Sequence, residues 1–184
     1  MPDPQSRIAP VAPPYEPQAQ AAFDAITPPG RTPLLLFRTI AVAPRIYARF
    51  NAGGLLDRGA LSLRQREIVI LRICGRCRCE YEWGVHVAIF AAKAALTETQ
   101  LAATVDGGPA DWSADEAALL AACDELDATT RLADATWTTL RRYFDEAQVL
   151  EVIALAGFYR TVCLYANGLA LALEPFAARF PAVD

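Results

Sequence analysis

Four residues in this chain have the types and the spacing to move a proton or present a nucleophile: Glu67, Cys79, Glu82 and His86. His86 is the single histidine, and it closes the stretch Arg78-Cys-Glu-Tyr-Glu-Trp-Gly-Val-His86, which reads as the start of a helix. At about 100° per residue, Cys79, Glu82 and His86 fall within roughly 60° of arc, so they share one helical face with Trp83 and Phe90. A thiol, a carboxylate and an imidazole on an apolar stripe are the material of a reactive site.

Glu67 strengthens that reading. In Leu63-Arg-Gln-Arg-Glu67-Ile-Val-Ile-Leu-Arg-Ile-Cys74 the residues Leu63, Ile70, Leu71 and Cys74 flank it on a helical wheel, while Gln65, Arg72 and Arg76 point the other way. Glu67 therefore belongs to the buried face. An unpaired buried carboxylate is costly, and it escapes by finding a partner or by a raised pKa. Perturbed carboxylates cluster at functional sites, although structural ion pairs produce them too. A core arginine such as Arg160 is the structural partner to expect.

The order Glu67, Cys79, His86, with Glu82 between the last two, resembles the alkylhydroperoxidase D and carboxymuconolactone decarboxylase superfamily. Its peroxidase branch carries Glu, then Cys-x-x-Cys, then His at this spacing. The resemblance matches Glu67 to the relay glutamate, Cys79 to the first cysteine and His86 to the relay histidine. The second cysteine falls on Glu82, so the dithiol is absent. Glu82 with His86 four residues on also resembles the decarboxylase branch, and Glu80-Tyr-Glu-Trp-Gly-Val-His86 resembles a variant of the superfamily without the dithiol. The likeness covers Pro44 to Leu101 well and extends weakly to Val149–Glu174, where Asn167-Gly-Leu-Ala-Leu-Ala-Leu-Glu174 resembles the closing helix. It implies an all-α, alkylhydroperoxidase D-like fold that self-associates as a dimer, trimer or hexamer.

Three functions follow as expectations. The first, placed slightly ahead, is a thiol-dependent hydroperoxide reductase on Cys79, its thiolate favoured by a helix N-terminus and by Arg76 and Arg78, with a Glu67/His86 proton relay and an external thiol reductant. Its sulfenic acid would need a resolving thiol. Cys77 and Cys74 point away from Cys79 on a continuous helix, and only a turn at Cys77–Cys79 would change that. The second is a cofactor-free decarboxylase, isomerase or hydrolase of a small carboxylated lactone, with Glu82 and His86 as acid and base. The third is a non-catalytic binding or scaffold protein in which Glu82 and His86 are only an i,i+4 pair. A zinc site from Cys74, Cys77, Cys79 and His86 is disfavoured because these cysteines begin inside a helical pattern.

The elements that must position these residues are helices. Capping boxes at Ser62-Leu-Arg-Gln65, Thr97-Glu-Thr-Gln100, Ser113-Ala-Asp-Glu116 and Asp145-Glu-Ala-Gln148 each predict a helix start, the last running to about Leu173. No period-two alternation is sustained, so the chain reads as seven or eight helices. Residues 1–32 hold Pro2, Pro4, Pro10, Pro13, Pro14, Pro17, Pro28 and Pro29 and predict an extended arm with a short helix around Gln18–Ile26; residues 33–184 form the helical domain. One helix is predicted over Pro33–Asn51. The His86 helix is apolar on nearly all sides, which predicts burial and subunit contacts.

The 184 residues suit one domain with a real core. The formal net charge of -4 and the absence of a basic stripe argue against nucleic-acid binding. No apolar run of membrane length, no signal peptide and no nucleotide fingerprint is read, so a cytoplasmic protein without NAD, FAD or ATP is expected. Five cysteines in such a chain read as free thiols, with Cys123 and Cys163 as small buried hydrophobes.

Overall fold

The computed structural model describes residues 6–182, and among these every regular element is a helix. In chain order they are α1 (Pro17–Ile26), α2 (Leu35–Ile40), α3 (Pro44–Ala52), α4 (Leu63–Arg76), α5 (Glu80–Phe90), α6 (Glu98–Asp106), α7 (Ala114–Thr129), α8 (Asp134–Tyr143) and α9 (Glu146–Gly168). The helix starts follow the capping chemistry. At Ser62, Thr97 and Asp145 the side chain accepts from the N3 amide while a glutamine answers to the cap amide. At Ser113 the Glu116 carboxylate accepts from the cap amide, and the hydroxyl turns to Asp115.

α4 is the axis of the domain, with α5, α6, α7 and α9 packed around it. Every residue from Arg66 to Gly75 is buried. This corrects the wheel-based expectation for Arg72, which lies inside and not in solvent. Its guanidinium forks onto Asp124 at 2.7 and 2.8 Å and caps the Ala103 and Thr104 carbonyls at the end of α6. Covering α4 on four sides leaves its polar face no exit, so the arginine brings its own acceptors.

Two helix boundaries differ from those expected. The single helix over Pro33–Asn51 is instead α2 and α3, separated at Ala41–Ala43, because Pro44 has no amide to donate and its ring crowds the preceding turn. The last helix stops at Gly168, and the chain to Glu174 is not helical; Ala170 takes a left-handed φ of 50°. That exit lets Glu174 accept from the Tyr81 hydroxyl and the Leu35 amide, tying the C-terminal segment to α5 and α2.

α9 is long and apolar enough by composition to cross a membrane, where the sequence was read as having no such run. Its Val152, Leu155, Tyr159 and Val162 side pack on the domain core, as expected of a core helix. α5 also departs from expectation. Tyr81 to His86 are buried, but Ala88 and Ile89 face outward, so an apolar helix is covered only along its first half. In the N-terminal segment Phe23 is buried in the core, and the Arg7 amide donates to the Leu169 carbonyl. Pro2 and Pro4 lie outside the described residues.

Gly84 marks the closest approach of the C-terminal segment to α5. The Ala178 amide donates to the Gly84 carbonyl at 3.0 Å, and a Cβ at Gly84 would collide with the Ala178 backbone oxygen. Alanine is the better helix former by about 1 kcal/mol, but backbone cannot yield as a side-chain tip can, and overpacking costs about 1–3 kcal/mol. Gly84→Ala is therefore expected to lower the urea midpoint; an unchanged or raised midpoint would show that the C-terminal segment does not pack there.

Candidate active site

α4 and α5 lie side by side, joined by a tight reversal. Cys77 caps α4, Arg78 adopts a left-handed φ of 51°, and Cys79 caps the start of α5. The reversal sets the α5 face bearing Glu82 and His86 against the α4 face bearing Glu67. His86 Nδ1 lies 2.7 Å from Glu67 Oε2, and His86 Nε2 lies 3.4 Å from Glu82 Oε1. The three side chains form one line of carboxylate, imidazole and carboxylate. All three are deeply buried, Glu67 entirely so.

The second Glu67 oxygen is held by Arg66, whose Nε and Nη2 lie 3.3 and 3.2 Å from Oε1. Arg66 also donates to the Leu56 carbonyl. Arg160, the partner expected from sequence, is on the exposed side of α9 and pairs with Asp127 at 2.7 Å. It meets neither Glu67 nor a substrate near Glu82. The residue adjacent to Glu67 on α4 reaches its carboxylate more directly than one from another helix, because the Arg66 side chain can fold back over its own turn.

Burial opposes a charged imidazole, but hydrogen bonds to Glu67 and Glu82 and their negative charges outweigh it, and the His86 pKa is raised to about 9. The imidazolium then has a proton on each nitrogen, donating from Nδ1 to Glu67 and facing Glu82 from Nε2 as an ion pair. One polar atom of the line has no partner: Glu82 Oε2 is buried and accepts no hydrogen bond. A buried carboxylate oxygen left empty is an acceptor waiting for a proton-bearing group. Tyr159 of α9 stands edge-on to His86 with ring centroids 5.1 Å apart, and burial followed by the charges of Glu82 and Glu67 holds its hydroxyl protonated. Phe90 tilts over the imidazole at 5.3 Å, with Arg66 and Lys93 on its ring.

Cys79 is fully buried at the N-cap of α5. Of the four residues expected to converge, Glu67, His86 and Glu82 are brought together in one line. Arg66 and Tyr159 complete the relay's surroundings and were not singled out from sequence. Arg66 was legible only as the neighbour of a buried acid, and Tyr159 only as one of several aromatics. Among the described residues no three of His, Cys, Asp and Glu are arranged to hold one metal ion. A cavity of about 600 Å³ lies between the N-terminal segment and α3, lined by Val11, Tyr15, Ala22 and Tyr47, and no relay residue lines it.

With this geometry in hand the relatives can be placed. Residues 42–128 match the Carboxymuconolactone decarboxylase family. No curated protein matches in sequence. Solved structures match in fold across nearly the whole chain. An uncharacterized peroxidase-related protein from Ralstonia eutropha JMP134, described as an alkylhydroperoxidase AhpD core, is 18% identical with a TM-score of 0.83, covering 94% of each chain. An uncharacterized peroxidase-related protein from Silicibacter sp. TM1040 is 16% identical with a TM-score of 0.81, covering 95% of this chain and 94% of that one. The debrominase Bmp8, as a cysteine-to-alanine variant in complex with 2,3,4-tribromopyrrole, is 15% identical with a TM-score of 0.71, covering 91% of each. Residues 42–128 are thus similar to the Carboxymuconolactone decarboxylase family, and the chain has an alkylhydroperoxidase D-like fold, with Glu82 where the resemblance places the dithiol's second cysteine.

The single histidine makes the relay measurable. Its ring protons are expected to titrate in NMR with a midpoint near pH 9, and Glu67→Gln is expected to pull the midpoint down. Because the folded value lies above the ordinary one of about 6.5, the stabilisation it brings is fully present below about pH 6.5 and is lost as pH rises through about 9. A midpoint at or below 6.5 would mean that the carboxylates do not outweigh burial.

Proposed function

We propose that this protein is a cofactor-free acid–base enzyme acting on a small carboxylated substrate, most simply a decarboxylase or isomerase of a lactone-like acid. The observation that carries this reading is the unpartnered Oε2 of Glu82 at the end of the Glu67–His86–Glu82 line. Glu82 is the proton acceptor. His86, protonated at neutral pH, is the donor at Nε2, and Glu67 holds the ring by Nδ1. Arg66 neutralises Glu67 and is the cation assigned here to a substrate carboxylate. If the carboxyl leaves as carbon dioxide, its bonding electrons pass into the adjoining conjugated carbonyl system, and His86 returns a proton to carbon. In an isomerisation Glu82 takes the proton from one carbon and the relay returns it to another. Positioned acid–base groups of this kind contribute about 10²–10⁴-fold. The Bmp8 complex holds a small planar ring, and a ring of that class would suit a site bounded by Phe90 and Tyr159.

A second reading, hydroperoxide reduction at Cys79, is favoured by one observation: Cys79 begins α5 with other thiols at hand. The two readings separate by mutation. In a screen of carboxylated lactones, Glu82→Gln is expected to reduce turnover by about 10²-fold or more while Cys79→Ser leaves it within about twofold. No turnover across the class, with hydroperoxide consumption that Cys79→Ser abolishes, would overturn the acid–base reading in favour of the thiol.

A further inference from the structure

Outside the relay, among the described residues, one buried side-chain polar atom has no hydrogen-bond partner: the hydroxyl of Tyr47 on α3. Tyr47 is only 4% exposed. Its ring packs against Phe23 and Phe37 with centroids 5.5 and 6.5 Å away, and neither ring carries an acceptor. Burial pushes its pKa up to about 12, so the hydroxyl keeps its proton and stays a donor. Leaving a buried donor unsatisfied is costly, and folded proteins keep few of them.

Tyr47 also lines the cavity of about 600 Å³ between α3 and the N-terminal segment. That volume lies within the range of about 300–1,000 Å³ that small-molecule sites occupy. The sequence makes the space. α1 contributes Ala19 and Ala22 and α3 contributes Ala48 and Ala52, each pair about one turn apart, so both helices present single methyl groups. The N-terminal wall is fixed at two points. Phe23 anchors α1 in the core with Tyr15 edge-on to it at 4.9 Å, and the Val11 amide donates to the Arg38 carbonyl of α2 at 3.1 Å. The lining also selects by charge. Among the described residues that form it, Glu16 alone is charged, and it is exposed. An anion therefore finds no cation in the lining and meets a carboxylate. Apolar walls with one fixed donor suit an uncharged, mainly apolar molecule that carries an acceptor.

We infer that this cavity is a second binding site, for a neutral aryl or alkyl carbonyl compound whose oxygen accepts from the Tyr47 hydroxyl and whose apolar body lies between the alanines of α1 and α3. The hydroxyl is closed to solvent, so entry displaces side chains of the Val11–Tyr15 segment, where Ala12, Pro13 and Pro14 are exposed. The site shares no residue with Glu67, His86 and Glu82, and it stands or falls apart from their chemistry.

Benzophenone is the probe. Its ketone is the acceptor, and under near-ultraviolet light it inserts into the C–H bonds beside it. Diphenylmethane is the matched control, with a methylene in place of the carbonyl. Benzophenone is expected to bind the full chain saturably, and illumination to label peptides from Val11–Ala22 and Pro44–Ala52. Diphenylmethane is expected to bind about three- to tenfold more weakly, the discrimination that one neutral hydrogen bond gives. Tyr47→Phe is expected to weaken benzophenone by that factor, to leave diphenylmethane within about twofold and to keep the urea midpoint, since the hydroxyl it removes has no partner in the protein. Ala48→Leu, which fills the cavity from an exposed position on α3, is expected to abolish saturable labelling and leave the His86 titration midpoint unchanged. Labelling elsewhere or none, equal affinity for the two compounds, tighter binding of the anion 4-benzoylbenzoate, or a benzophenone affinity indifferent to Tyr47→Phe would each overturn the proposal.

Discussion

A carboxylate with no exposed surface, on the most enclosed helix of the domain, is the constraint around which this structure is arranged. A desolvated charge is penalised by several kcal/mol even after relaxation, so the Glu67 carboxylate requires partners. Arg66 takes one oxygen and His86 the other. The ring that satisfies Glu67 on one side must turn its remaining nitrogen to something, and the residue one turn earlier on α5 is Glu82. Two acids and two cations then nearly balance in a space closed by Tyr159 and Phe90. The balance is incomplete at one atom, Glu82 Oε2, which has no hydrogen-bond partner in the protein.

The reversal between α4 and α5 acts twice. It brings the two faces of the relay together, and it sets the Cys77 carbonyl against Asn167 of α9. Had the helix continued, Cys74, Cys77 and Cys79 would have pointed in different directions. Cys79 stands at the N-cap while His86 lies nearly two turns along α5, and the position one turn before the ring is a carboxylate.

Much was legible in the amino acids. The four helix starts were readable because a capping residue and its partner lie three positions apart, so their chemistry is local. Glu67 was recognisable as buried because apolar residues flank it at helical spacing, and Glu82 and His86 as partners because four residues make one turn. The break before Pro44 was also local, but the apolar run across it concealed it. Arg72 escaped the wheel because a wheel describes one helix and cannot register that four others surround it. The partner of Glu67 was sought on another helix and lay next door, a matter of side-chain reach that spacing alone does not resolve.

By itself the sequence determined the helical class, the family resemblance and the pairing of an acid and an imidazole one turn apart, since each depends on contacts within a few residues. Only the tertiary structure decided which acid meets the ring's Nδ1 and that Cys163 lies against Cys74. Those contacts join residues 19 and 89 positions apart, and their geometry depends on how whole helices dock.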